Sequence, residues 1–259
     1  MCKVVTIVVS VILLQPAYLQ AAENSCSVKS NPTITPVIEL YTSEGCSSCP
    51  PADRWLSKYA QHAKSKVNFL AFHVDYWDEI GWPDRFANHR YTERQRLRVQ
   101  QNGSNTIYTP QVMISNNSRV SWHTAGESER LTNQISAQIA LANISMHVQA
   151  TGSQFQTALK ITAPHAIANT QWYFAVYQDG LQSKVIAGEN QGLTLNHDRV
   201  VRQWLGPYAL PGGASNKVIN IALPDPLKRN QTGFMVLIEN SENGKLIQSL
   251  SLPLSNCNL

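Results

Sequence analysis

Two kinds of hydrophobic periodicity divide the chain. In the first half, apolar runs of strand length alternate with stretches whose apolar residues recur every three or four positions. Residues 37–41 (Val-Ile-Glu-Leu-Tyr) read as a strand, and residues 51–63 as a helix with Trp55, Leu56 and Tyr59 on one side. Residues 67–74 form a second strand, apolar and rich in residues that suit sheets. In the polar segment that follows, residues 85–101 predict an exposed helix covering a sheet edge. Residues 111–115 and 119–122 predict a short hairpin around Asn116-Asn117. Residues 127–142 predict a closing helix with Leu131, Ile135 and Ile139 at intervals of four. Strand, helix, strand, insertion, hairpin, helix is the order of an α/β layer, and a right-handed crossover lets its first two strands lie parallel.

From residue 145 the pattern becomes short runs separated by the turn pairs Thr151-Gly152, Asp179-Gly180 and Asn243-Gly244. Strands are expected at 145–151, 155–162, 172–178, 183–187, 218–223, 234–239 and 245–252, with residues 196–205 helical in character. This half predicts a mainly antiparallel, sandwich-like region. It offers no compelling nucleophile or metal cluster, and its expected role is packing or recognition.

Residues 1–22 stand apart. Lys3 precedes an apolar run from Val4 to Leu14, and small residues follow up to Ala22. This is the layout of a secretory signal peptide cleaved after Ala22. This run of eleven residues falls short of the roughly 20 that span a bilayer, and no later run is long enough. The expected organisation is a signal peptide at 1–22, an α/β domain at 23–143 and a mainly β accessory domain at 144–259. The formal charge of +4 falls to +3 with Lys3 removed. So mild a balance supplies no dense basic patch for nucleic acid.

Beyond residue 22 the cysteines are Cys26, Cys46, Cys49 and Cys257. Four allow three pairings, and sequence does not choose among them. The economical arrangement makes Cys46 and Cys49 a reactive couple and Cys26 with Cys257 a clamp between the termini, which an oxidising location permits.

Cys46-Ser-Ser-Cys49 lies where a strand ends and a helix begins. Unpaired backbone N–H groups and the helix dipole favour a thiolate there, so the motif points to thiol–disulfide exchange. Cys46, at the helix mouth, is the expected attacker and Cys49 the resolving thiol. Pro50-Pro51 fixes the helix start, because proline is tolerated only in a helix's first turn. Cys46 therefore belongs to the preceding turn, with Gly45 relieving crowding. Thr109-Pro110, just before a strand, is expected to be cis and to pack beside the sulfur pair. Glu39 is the polar residue within the first strand. With Ile38 and Leu40 on one face, it shares the other with Val37 and Tyr41, and it is a candidate acceptor for the Cys49 proton.

Two other chemistries remain open at the pair: an inert structural bridge, and half of a metal site. His73 and Asp75 follow the second strand, and copper suits thiolate and imidazole, so Cys46, Cys49 and His73 form a weak metal alternative. Tyr76, Trp77 and Trp82 are expected to wall the site, with Trp122-His123 on the same rim. Residues 188–192 followed by Leu195-Asn-His197-Asp198 lack the lysine and hydroxyl signature of a phosphate loop. A structural or interdomain role is expected of them. No cofactor is called for.

Glu39-Leu-Tyr-Thr-Ser-Glu-Gly-Cys-Ser-Ser-Cys-Pro-Pro-Ala-Asp53 resembles the DUF1223 family of exported bacterial proteins. So do His73-Val-Asp-Tyr-Trp-Asp78, Gly81-Trp82, Thr92-Glu-Arg-Gln-Arg96, Tyr108-Thr-Pro-Gln111 and Gly188-Glu-Asn. The resemblance implies a thioredoxin-like fold, a periplasmic location in a Gram-negative bacterium, and Cys46/Cys49 as redox centre with Pro110 in the loop beside it. The fold expected is thus an α/β thioredoxin-like domain with a helical insertion, followed by a mainly antiparallel β-sandwich-like region. The leading functional reading is thiol–disulfide oxidoreduction on protein or small-molecule thiols and disulfides. The alternatives are a binding protein with a fixed disulfide, and a copper-handling protein.

Overall fold

The strand β2 (Val37–Thr42) is covered on both faces, and all six of its residues are buried. It pairs parallel with β3 (Asn68–His73) and antiparallel with β4 (Gln111–Ile114). Ile38 and Leu40 pack against Ala52 and Leu56 of helix α1 (Cys49–His62). Val37 and Tyr41 point the other way, into a cluster with Phe72 and with Tyr91 and Val99 of helix α2 (His89–Gln101). This is the period-two division of a strand buried between layers. The computed structural model describes residues 24–62, 66–151, 154–163, 167–223 and 228–257. The predicted leader at 1–22 lies outside them.

Strand β5 (Asn117–Val120) completes the hairpin with β4, and helix α3 (Glu127–Ser136) follows. The second half supplies β6 (Asn143–Thr151), β7 (Gln154–Thr162), β8 (Thr170–Gln178), β9 (Leu181–Lys184) and β10 (Thr194–His197). It continues with β11 (Val200–Ala209), β12 (Ala214–Ala222), β13 (Thr232–Asn240) and β14 (Leu246–Pro253). A single eight-stranded sheet runs β14-β13-β8-β11-β3-β2-β4-β5 through both halves. Its seam is β11, antiparallel to β8 and parallel to β3 at Val200↔Ala71. Strand β1 (Ser25–Lys29) joins β6, β7 and β12 in a four-stranded sheet, and β9 and β10 form a separate two-stranded ribbon.

The four-stranded sheet alternates buried and exposed residues along β6 and β7. Its inner residues Ile144, Met146, Val148, Phe155 and Ile161 pack on Trp172, Phe174, Phe234 and Val236 of the long sheet. The molecule is therefore an α/β thioredoxin-like region extended by a β-sandwich, and helix α2 is the insertion after β3. Cys26 of β1 and Cys257 are joined by a disulfide across 231 residues of sequence, with Cα atoms 5.6 Å apart.

Several elements depart from expectation. Residues 196–205 form β10 and most of β11 rather than a helix, because Val200, Val201 and Trp204 are buried between two sheet neighbours. Helix α3 stops at Ser136, where the chain turns to pair with the segment before β2. Ile34 N–H donates to Gln138 O, Ala140 N–H to Pro32 O, and Ile139 is left exposed. Helix α2 starts at His89, capped by Asn88 Oδ1 accepting from Arg90 N–H at 3.0 Å. Strand β1 has no counterpart in the expected elements. Among the described residues, no helix is long and apolar enough to cross a membrane.

Candidate redox site

The loop from β2 to α1 places the two thiols. Cys46 sits in a turn, its N–H donating to Ser43 O at 3.3 Å, and Cys49 N–H donates to Cys46 O at 3.2 Å to open the helix. Pro50 and Pro51 occupy the first turn, where a missing N–H costs nothing. A Cβ on Gly45 would meet Trp77 Cβ at 3.2 Å, so the turn needs glycine to pass under the tryptophan.

Both cysteines are free thiols. The neighbouring Cys49 thiol, as a donor to an ionised Cys46 sulfur, outweighs the cost of burial and, helped by the Ser48 hydroxyl 3.2 Å away, brings the Cys46 thiol down to about 6. Cys49 moves the opposite way: burial and the neighbouring Cys46 hold its proton firmly. One sulfur is thus readily ionised while its mate stays protonated, as a couple with distinct attacking and resolving roles requires.

The Thr109–Pro110 bond is cis. As a thiol, Cys46 donates to Thr109 O at 3.8 Å, and Trp77 Nε1 donates to Thr109 Oγ1 at 2.7 Å. Cys46, Cys49, Thr109 and the Pro110 loop therefore share one place. Glu39 does not join them. Its carboxylate accepts from Arg94 Nε at 2.9 Å and Nη2 at 2.7 Å, and from Tyr41 at 2.7 Å. Burial alone would raise Glu39, but the Arg94 and Arg98 charges prevail and hold it at about 2. So committed an anion is no acceptor for the Cys49 proton. The carboxyl whose charge helps hold the Cys49 proton is Asp53, one helical turn further on. Burial raises Asp53 above the usual carboxylate range, and Thr42 Oγ1 donates to it at 3.2 Å.

His73 is fully buried, its Nδ1 2.6 Å from Asp84 Oδ2. Because β3 ends at His73, Asp75 turns instead to the Thr92 hydroxyl and to His89 Nδ1. Among the described residues, no three of His, Cys, Asp and Glu are arranged to hold a metal. Trp82 Nε1 donates to Glu44 Oε2 at 2.8 Å, and Trp122 lies against Trp55 on the outer side of α1.

A strap from the second half closes over the turn. Asn190, in the loop between β9 and β10, donates through Nδ2 to Glu44 O at 2.8 Å and Cys46 O at 3.0 Å. Glu189 Oε2 accepts from Ser47 N–H at 2.9 Å. Under this cover Cys46 is 1% exposed and Cys49 0%. His197, at the end of β10, lies between Glu44 and Asp53. Sequence reasoning missed Asp53, Asp84, Glu189, Asn190 and His197 as site residues. The Cys49–Asp53 spacing of four on a helix was the one available local signal.

A family model matches residues 37–239, described as a protein of unknown function, DUF1223. No curated protein matches the chain. Among solved structures, a protein from Agrobacterium tumefaciens superposes with a TM-score of 0.61 at 23% identity, covering 89% of this chain and 99% of its own. HBP35 of Porphyromonas gingivalis superposes with a TM-score of 0.63 at 14% identity, covering 88% and 77%. At these identities the likeness is one of fold. The extent of the family match settles membership: the chain belongs to the DUF1223 family.

Proposed function

We propose that the protein is an exported thiol–disulfide oxidoreductase that works in the periplasm on protein or small-molecule thiols and disulfides. The observation that carries this reading is the placement of two free thiols at the start of α1 beside the cis Thr109–Pro110 bond, with Cys46 3.8 Å from Thr109 O, and the opposite shifts of Cys46 and Cys49 agree with it. In the reducing direction, the Cys46 thiolate attacks a substrate disulfide and releases one substrate thiolate. Cys49 then loses its proton to Asp53 and attacks the Cys46 sulfur. The Cys46–Cys49 bond forms as the Cys46–substrate bond breaks, and two electrons pass to the substrate. The oxidising direction is the reverse.

The burial of Cys46 favours a second reading, a binding protein whose cysteine pair does not exchange. The two separate on one experiment. A Cys49→Ser variant, unable to resolve, accumulates mixed disulfides at Cys46 if exchange operates, and Cys46→Ser accumulates none. Equal, negligible capture by both variants rejects the exchange reading.

A further inference from the structure

Below the dithiol, four buried polar atoms converge without a hydrogen-bond partner among the described residues: Glu44 Oε1, His73 Nε2, and both ring nitrogens of His197. Glu44 and His73 are fully buried, and His197 is 2% exposed. A buried polar group left unpaired is destabilising, so such a cluster calls for a role. His197 stands at its centre. Its Nδ1 is 3.9 Å from Asp53 Oδ2 and its Nε2 is 3.3 Å from Glu44 Oε1. Neither contact is aligned as a hydrogen bond; the Glu44 contact lies within hydrogen-bond distance and the Asp53 contact just beyond it. The groups facing the imidazole are Asp53 from α1, Glu44 from the loop after β2, His73 from β3, whose ring centroid is 4.9 Å away, and Asp84 behind His73. Phe86, 5.8 Å away between centroids, closes the remaining side.

These contacts form a line. It begins at Cys49, whose titration feels the Asp53 charge, and passes through Asp53 and His197 to Glu44. Glu44 in turn bonds to half-exposed Trp82 at the rim. Asp53 is 6% exposed, and its Oδ2 accepts from the Thr42 hydroxyl. A buried carboxyl that accepts a proton in every turnover needs a partner to pass it on.

We propose that His197, supplied by the second half of the chain, is a positioning residue that orients Asp53 and carries the Cys49 proton from it toward Glu44. The inference rests on the exchange reading and deepens it. During resolution the Cys49 S–H bond breaks and its proton goes to Asp53, while its electron pair makes the bond to Cys46. The leaving substrate thiolate takes the electrons of the broken Cys46–substrate bond. His197 accepts the Asp53 proton at Nδ1 and releases one from Nε2 toward Glu44, which returns Asp53 to its ionised state. The same line runs backward when the Cys46–Cys49 bond is reduced.

The test uses the chain from residue 23 onward, which leaves out Cys2, with Cys46 and Cys49 reduced and the Cys26–Cys257 bond intact, and dithiobis(nitrobenzoate), which reports each step as a separate release of thionitrobenzoate. The first release is attack by Cys46, and the second is resolution by Cys49. In His197→Gln, the first release keeps the wild-type rate, while the second slows about 10-fold or more and loses the wild-type pH dependence, as expected for a lost proton-transfer group. A second release with unchanged rate and pH profile overturns the proposal. Absence of the first release from the wild type overturns the exchange reading, and this proposal with it. A second measurement needs no variant. The ring ¹⁵N shifts of His197 differ between the dithiol and the bridged forms of the wild type if the relay is linked to the thiols. Identical shifts overturn it.

Discussion

Cys46 owes its acidity to a side chain more than to the helix. Pro50 and Pro51 remove two of the first-turn N–H groups, and Glu189 takes the N–H of Ser47. The Cys49 thiol is then the strongest donor left to a Cys46 thiolate. Iodoacetamide modification of Cys46 should therefore follow a titration centred near 6, fast above that pH and slow below it. In Cys49→Ala the midpoint should move up toward the ordinary thiol value of 9.0, and an unmoved midpoint would assign the acidity elsewhere. Glu39 is informative at the same scale. Its place inside an apolar strand marked it as unusual, but not its partner, because Arg94 is 55 residues away in sequence. Arg94 also approaches Glu239 at 3.2 Å, so Arg94→Ala leaves two buried carboxylates with only the more distant Arg98, at 4.0 and 3.8 Å, as cation. The expected loss is about 3–5 kcal/mol in denaturant melts. Because Glu39 is held at about 2 rather than its ordinary 4.5, the stability it contributes is complete above pH 4.5 and fades as pH falls toward 2. Glu39→Gln should flatten that part of the stability–pH curve.

The strap between β9 and β10 is bonded across the turn that carries the thiols. Gly188, at φ +74°, carries it past Trp82, where a Cβ would lie 3.1 Å from Trp82 Cβ. Asn190 then ties it to the carbonyls of Glu44 and Cys46. Replacing Asn190 with Ala removes both bonds, worth about 0.5–1.5 kcal/mol each. Cys46 should consequently alkylate about 10-fold faster, a rise that follows from this range if the strap opens locally. An unchanged rate would mean that the strap does not control access. The strands that follow it were hidden in the sequence for a definite reason. His197, Val200, Val201 and Trp204 recur at helical spacing, yet the chain places them in β10 and β11. Burial between β8 and β3, which no local pattern reveals, overrides that spacing. The β2–α1 unit was legible because each of its signals agreed: an apolar strand, a turn with glycine and cysteines, then prolines at a helix start.

Across the whole molecule, the sheet does not respect the division that the change of pattern suggests. Four strands from each half lie side by side, and β11 inserts the second half next to β3. Thermal unfolding should accordingly be a single transition by calorimetry and by circular dichroism, and two resolved transitions would contradict a shared core. Removing the Cys26–Cys257 link by Cys26→Ser frees a very long loop and should lower stability by about 2–5 kcal/mol. Dithiol chemistry should survive that change, since the link lies outside the site. The account as a whole turns on whether the buried pair transfers electrons. The most direct measurement is steady-state reduction of insulin disulfides by the full chain with dithiothreitol as electron source. Turnover above the uncatalysed rate that is lost in both Cys46→Ser and Cys49→Ser is the predicted result. A wild-type rate no greater than that of either variant would contradict it.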